Sequence, residues 1–350
     1  MAVAAPAATV AGVNPLRVAD LDESDLLARV FPLLPASTHR LLGPGDDAAV
    51  LGAPDGRVVV SCDVLVEGHH FRREWSTGRD VGARAAAQNL ADIAAMGARP
   101  TALVVGLVLP GSTEVAWVED LARGLAAFCG PYGVGVEGGD LSGGEQIVVA
   151  VTVLGDLAGV APVRRSGARP GDVVAHAGGL GWSAAGLAVL EAGGDGSERG
   201  PDAVAAVAVH RRPTPPLELG ASAALSGATA MIDVSDGLVR DTGRIAGASG
   251  LVIDLDRGAL TGPVAALAGL GAHLDVDPWT WVLGGGEDHG LLATFPPGVE
   301  LPEGFTGLGV ARAASGSGVD VPGAVLLDGA PVSGAEGWDH FGLSGGQPRR

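Results

Sequence analysis

Short apolar runs of strand length alternate along this chain with longer stretches of helical spacing, and that alternation limits the fold more than any other feature. Residues 58–65, 101–109, 146–154, 172–177, 229–234, 251–255 and 291–295 are rich in Val, Ile and Leu and read as strands. Residues 22–34, 80–96, 115–128, 183–190, 217–225 and 238–248 carry apolar residues at helical intervals, and a further helix ends at 279–283. Pro35 stops the first helix and Gly97 is placed to cap the second. Strands and helices mixed in both halves predict an α/β (α+β) protein of two domains, for which 350 residues suffice. Gly, Pro and Arg interrupt the pattern at 155–169. The expected division is a disordered leader at 1–16, an N-terminal domain at 17–157 and a C-terminal α/β domain at 158–350.

The 58 Gly and 23 Pro imply many tight turns, because the glycines lie among apolar runs. Net charge is −18, from 22 basic and 40 acidic residues. So acidic a surface repels phosphate backbones and anionic lipid, so neither nucleic acid nor membrane is expected as a partner. The acids serve solubility or hold divalent cations, and the sum alone does not separate the two. All 22 basic residues are Arg. Without Lys there is no Walker A loop, no protein-kinase ion pair and no Schiff-base chemistry. Any phosphate must then be handled by metal ions, backbone N–H groups and Arg. Cys62 and Cys129 are too few for a disulfide framework or a zinc site. The opening MAVAAPAATVAGV lacks the basic segment of a secretory signal, and no apolar run is long enough to span a bilayer, so a cytoplasmic protein is expected.

The acids fall in a pattern. Five short segments bounded by glycine or strand each present Asp: GPGDDAAV (Asp46, Asp47), SCDVLVEGHHF (Asp63), QNLADIAAMG (Asp92), EGGDLSGG (Asp140) and IDVSDGL (Asp233, Asp236). Asp63 and Asp233 sit in or at the end of apolar strands, and Asp92 sits on an apolar helix face. An ionised carboxylate in such a place is costly unless paired or metal-bound, and few Arg lie nearby in sequence. Converging Asp residues offer the hard oxygen ligands that Mg²⁺ takes. Any one Asp alone is better explained as a cap, an Asx turn or a solvated strand end, and Asp236 before Gly237 suits an N-cap. The set favours metal.

Glycine beside acid, in EGGD (137–140) and LGGGEDHG (283–290), lets backbone approach a ligand closely and can cradle phosphate oxygens, although ordinary turns use the same residues. Gly133, Gly135 and Gly138 spell G-x-G-x-x-G but follow a helix and are expected to run into a loop, the wrong context for a dinucleotide. Gly179, Gly181 and Ala184 spell G-x-G-x-x-A between a strand and a helix, the right context, without the later acid-ended strand. The hydrolase-elbow letters at 342–346 have no helix after them. His69 and His70 follow Glu67-Gly68 in a polar loop. Arg164, Arg165 and Arg169 form a basic cluster that is either a surface turn or an anion contact.

In order, GPGDDAAVL, SCDVLVEGHHF, QNLADIAAMGARP, GGDLSGG, RSGARPGDVV, GLGWSAAGL, IDVSDGL, LGGGED and GWDHF resemble the thiamine-monophosphate kinase family, within the superfamily that includes aminoimidazole ribonucleotide synthetase. The resemblance runs from about Leu26 to Phe341. It implies Mg²⁺-assisted, ATP-dependent phosphorylation of thiamine monophosphate by direct in-line attack. It also implies a homodimer of two-domain subunits joined through their N-terminal domains. The residues matching the family's metal ligands are Asp46, Ser61, Cys62, Asp63, Asp92, Asp140, Asp233 and Asp236. Asp46, Asp63, Asp92, Asp140 and Asp233 thereby become the catalytic set. Those matching its nucleotide contacts are Tyr132, Gly139, Asp140, Arg165 and Ser235, and those matching its substrate contacts are His70, Glu287 and Trp338. Cys62 stands where the family usually has Thr, His289-Gly290 where an aromatic and an acid are usual, and Trp182 where a polar residue is usual. The alternatives are another ATP-dependent synthetase of the superfamily and a non-catalytic Mg–nucleotide-binding protein.

Overall fold

A computed structural model describes residues 15–44, 48–315, 321–332 and 337. Helix α1 (Glu23–Val30) is followed by the β1–β2 hairpin (Arg40–Leu42, Val50–Leu51). Next come β3 (Val59–Val66), α2 (Gly78–Ala95), β4 (Arg99–Leu109), α3 (Val115–Cys129), β5 (Gly135–Gly143) and β6 (Val148–Asp156). The second half runs β7 (Val173–Ala177), α4 (Trp182–Glu191), α5 (Pro201–Arg211), α6 (Leu217–Leu225), β8 (Ala230–Val234), α7 (Leu238–Ser249), β9 (Leu251–Leu255), α8 (Arg257–Leu274) and α9 (Pro278–Gly284). It ends with β10 (Gly290–Phe295), β11 (Thr306–Ala313), β12 (Val325–Leu327) and β13 (Ala330–Pro331). Both halves mix helix and strand, as the apolar pattern requires.

The first half forms a four-stranded sheet in the order β3-β6-β4-β5. One face, with Leu65, Val149, Val151, Val153 and Leu103, is sealed by α2. The other carries Val60, Val64 and Val104, which are 62%, 42% and 38% exposed. The second half forms a seven-stranded sheet in the order β13-β12-β9-β11-β7-β10-β8, antiparallel except where β12 meets β9. The first core continues across the junction: Leu90 and Ile93 of α2 share one cluster with Ala177, Met231, Leu291 and Phe295. The site forms at this junction.

Local rules explain α2 well. Thr77 and Asp80 form a reciprocal capping box at its start, and Gly97 with φ +74° follows its end. Two expectations are corrected. The glycines from 133 onward enter strand β5, not a loop; the parallel ladder offered by β4, from Ala102↔Gly135 to Leu109↔Gly143, overrides their poor strand propensity. Asp236 is not an N-cap: Gly237 occupies that position of α7 with no side-chain bond. At the β7–α4 turn, where a dinucleotide phosphate would sit, the Asp288 carboxylate accepts from Gly181 N at 2.7 Å and Ser183 N at 2.9 Å. The helix N-terminus is thus already capped by an internal acid. Helix α8 and strand β11 had no expectation at all. Of the expected leader, Pro15 and Leu16 alone are described, and the Leu16 carbonyl accepts from Val115 N.

Candidate active site

Asp80, Arg84, Gln88 and Asp92 recur at every fourth residue of α2, so they line one side of an otherwise Ala-rich helix. Asp80 pairs with Arg212 at 3.1 Å. Arg84 reaches Glu287 at 2.7 Å and the His210 carbonyl at 3.0 Å. Gln88 hydrogen-bonds Asp63, and Asp92 accepts from Ser61 Oγ at 2.6 Å. Beside the stripe, Asn89 accepts from the Asp63 backbone N–H at 3.1 Å and donates to the Ala85 carbonyl at 2.8 Å. That bridge pins edge strand β3 to the helix. The alternation of β3 turns Ser61 and Asp63 toward α2 and Cys62 toward the exposed face.

The second half contributes Asp233, at the end of β8, and the loop between α9 and β10. The Glu287 N–H donates to the Ser235 carbonyl at 2.9 Å, and the His289 N–H to the Val234 carbonyl at 3.1 Å, extending the β8–β10 pairing. Gly286 is required there, since a Cβ would collide with the Ser235 carbonyl. Glu287 and His289 adopt left-handed backbone, φ +68° and +55°. His289 Nδ1 thereby lies 3.1 Å from Asp233 Oδ2, and its Nε2 3.7 Å from Glu287 Oε2.

The electrostatics mark this as one site. Burial raises the Asp92 carboxyl, and the charges of Asp233 and Asp63 add to it, taking it to about 7 against a weak pull from Ser61. Burial also raises Asp63; His289 opposes this, while Asp233 and Glu287 reinforce it. Burial would depress the His289 imidazole, but the hydrogen bond to Asp233 and the charges of the nearby Glu287 and Asp233 carboxylates win and raise it to about 10. Desolvation works against the charge of Glu287, yet Arg84 and then His289 hold it well below the usual carboxylate range. Groups pushed this far by one another's charges mark functional sites.

Asp63, Asp92, Asp233 and Glu287, with Ser61, come together here. Asp140 does not. It is exposed on β5, accepts from Ser142 Oγ at 3.0 Å, and is in register with Gly106, then Ala150, then Val64. Three strand spacings separate it from β3, roughly 14 Å. Asp236 turns to Arg244 and, at 3.9 Å, to Arg240. Ser235 donates no side-chain bond that is described, but its carbonyl anchors Glu287. His70 Nδ1 accepts from Val66 N at 3.0 Å in the turn after β3. Tyr132 lies in the turn before β5, Gly139 precedes Asp140 on that strand, and Arg165 is exposed. Asp46 and Trp338 lie outside the described residues. Sequence reasoning missed Arg84, Asn89 and the bridging role of His289.

Two family models match: AIR synthase related protein, N-terminal domain, at residues 45–157, and AIR synthase related protein, C-terminal domain, at residues 169–299. Thiamine-monophosphate kinase of Mycobacterium tuberculosis is 49% identical over 302 residues, 86% of each chain. The chain belongs to the thiamine-monophosphate kinase family. The enzyme of that name from Corynebacterium glutamicum is 40% identical over 300 residues, 83% of this chain and 86% of its own. A solved structure of AaThiL complexed with AMPPCP and TMP superposes with a TM-score of 0.73 at 32% identity, covering 94% of this chain and 100% of that one.

A member of a phosphate-transferring family that has no Lys of its own, like this chain, needs cations from elsewhere, and the donors here fit one kind. Carboxylates of Asp63, Asp92 and Asp233 with the Ser61 hydroxyl are hard oxygen donors of the type Mg²⁺ accepts, and their mutual repulsion leaves a field that a cation relieves. Among the described residues, no three His, Cys, Asp or Glu by themselves enclose an ion.

Proposed function

We propose that this chain phosphorylates thiamine monophosphate with ATP, giving thiamine diphosphate and ADP, as the names of its relatives indicate. The observation that carries the proposal is the convergence of Asp63 and Asp92 from one half with Asp233 from the other, each in the others' field. Two phosphate-bearing reactants repel each other and need charge neutralisation and alignment more than a nucleophile. Asp63, Asp92 and Asp233 would hold Mg²⁺, which when bound neutralises phosphate charge and orients the groups for in-line attack. His289 holds Asp233 Oδ2, Ser61 holds Asp92 Oδ2, and Asn89 fixes the backbone of Asp63, so each carboxylate is orientated before ligand arrives. The acceptor phosphate oxygen attacks the γ-phosphorus directly, and no protein side chain is phosphorylated. Tyr132, Gly139, Asp140, Arg165 and Ser235 are proposed to contact the nucleotide, and His70, Glu287 and Trp338 the acceptor. Asp46, Ser61, Cys62 (through its backbone oxygen), Asp140 and Asp236 complete the proposed metal set, Asp236 only after release from Arg244.

We further propose a homodimer through the open face of the four-stranded sheet. Val60, Val64 and Val104 form an apolar surface there without a charged neighbour on β3, and β3 and β5 are the sheet's two edges. Two such faces packed about a two-fold axis bring Asp140, in register with Val64, of one copy toward β3, the edge strand that carries Asp63, of the other. No described helix is long and apolar enough to cross a membrane, and use of ATP suits the cytoplasm as compartment.

The deciding experiment incubates the protein with ATP, Mg²⁺ and thiamine monophosphate and measures thiamine diphosphate and ADP together. Equal formation of both is expected. ADP released only with an aminoimidazole ribonucleotide precursor would instead indicate a synthetase, and nucleotide binding without turnover a binding protein.

A further inference from the structure

Arg84 is buried, 4% exposed, in the middle of α2, and among the described residues it is the one cation that the first half sends to the Glu287 loop. Its two terminal nitrogens do different things. Nη1 is fixed by the His210 carbonyl at 3.0 Å, and Nη2 holds Glu287 Oε2 at 2.7 Å. The other neighbour of that carboxylate, His289 Nε2 at 3.7 Å, also lies on Oε2. Among the described residues Oε1 takes no partner, while the Glu287 side chain is 34% exposed. The guanidinium therefore sits behind the carboxylate and turns one oxygen inward and the other toward the open side. Without it, Glu287 would stand near Asp63 and Asp233 with His289 as its sole described cation.

We propose that Arg84 is the positioning residue for Glu287, acting across the junction between the two halves so that Oε1 is presented to an acceptor bearing an N–H donor or a cationic ring. The inference rests on the reading of Glu287 as an acceptor contact, and it deepens that reading by naming what holds the contact in place. Arg84 itself touches neither reactant. Its loss acts on binding of the acceptor and leaves the nucleotide and the carboxylates of Asp63, Asp92 and Asp233 in place. The guanidinium fork matters, because a Lys ammonium reaches one of the two partners in good geometry but not both.

The test is steady-state kinetics on the full chain with Mg²⁺, varying each reactant in turn, for wild type, Arg84→Met, Arg84→Lys, Glu287→Gln and the Arg84→Met/Glu287→Gln pair. Arg84→Met is expected to raise KM for thiamine monophosphate about tenfold or more and leave KM for ATP within about twofold. Arg84→Lys falls between it and wild type. In the Glu287→Gln background Arg84→Met adds nothing, because the group it positions has lost its charge. An unchanged KM for thiamine monophosphate, a loss confined to kcat with a lowered Tm, or full additivity in the double variant would each overturn the proposal. If Arg84→Met does not fold, Arg84→Lys decides alone: KM for the acceptor raised about threefold supports the proposal, and KM unchanged ends it. A wild type that forms no thiamine diphosphate ends the proposed reaction and this inference together. A wild type that turns over beside an Arg84→Met protein of unchanged KM ends this inference only.

Discussion

Burial and the charges of Asp233 and Asp63 push the Asp92 carboxyl from its ordinary 3.8 up to about 7, so the metal-free protein holds a proton there that the unfolded chain releases. A carboxyl whose pKa is raised on folding adds stability that is complete below the unfolded value. That contribution falls as pH climbs and is gone above the folded value, here between about pH 4 and 7. Asp92→Asn removes the penalty. It is expected to raise the Tm of the metal-free protein at pH 8, by roughly 1–2 °C for each kcal/mol relieved, with little change at pH 4. The same variant should lower turnover at least about a hundredfold, since the site loses a proposed Mg²⁺ ligand and keeps its fold. Calorimetry at the two pH values, with and without Mg²⁺, reads the first effect and the coupled assay the second. A Tm at pH 8 that falls instead would show the carboxylate to be structural. The acids that could be found from sequence, Asp63, Asp92 and Asp233, are those that sit in apolar surroundings, where a charge has to be explained. The N-cap reading of Asp236 fails because its partner, Arg244, lies two helical turns away and comes alongside only once α7 forms.

Helix α2 carries most of the site, and its placement depends on how closely α3 approaches. Gly78, Gly82 and Gly124 form the contact, and a Cβ on Gly82 would meet the Leu121 carbonyl oxygen. Helices this close must separate to admit a methyl group. Gly82→Ala is therefore expected to destabilise by about 1–3 kcal/mol, against the gain in helix propensity that an exposed site would show. Because Ser61, Asp63 and Glu287 are all held from α2, the variant should also lose activity beyond its loss of stability. Thermal denaturation and kcat measured well below Tm separate the two, and a Tm equal to wild type would show that the helices yield freely. The helix itself was legible over 80–96, with Gly97 at its end, but its start at capping Thr77 was not. The four-residue recurrence of Asp80, Arg84, Gln88 and Asp92 was equally available, and only Asp92 was singled out, because a polar stripe on a helix is normally solvated. Strand β5 was not legible: EGGDLSGG has the composition of a loop, and only the neighbouring β4 makes it a strand.

At the scale of the whole molecule, Asp140 poses a geometric question that one chain does not answer. It belongs with the other acids by sequence pattern, yet lies on the far edge of the sheet from Asp63. If two copies pack through the open face, each site draws Asp63 and Asp92 from one copy and Asp140 from the other. Asp92→Asn and Asp140→Asn should then each be nearly inactive alone. Denatured together in equal amounts and refolded, they form half heterodimers, each with one intact and one doubly altered site, so about a quarter of wild-type activity returns. If each site is complete within one chain, every site in the mixture carries a substitution and nothing returns. Val64→Asp tests the face itself. A charge on the exposed valine costs the monomer little but is desolvated in the pair, so the variant should run as a monomer in light scattering, with its fold kept and its activity lost. A dimer that survives Val64→Asp, with no activity recovered in the mixture, would place the association surface elsewhere and leave Asp140 to reach the nucleotide from within its own chain.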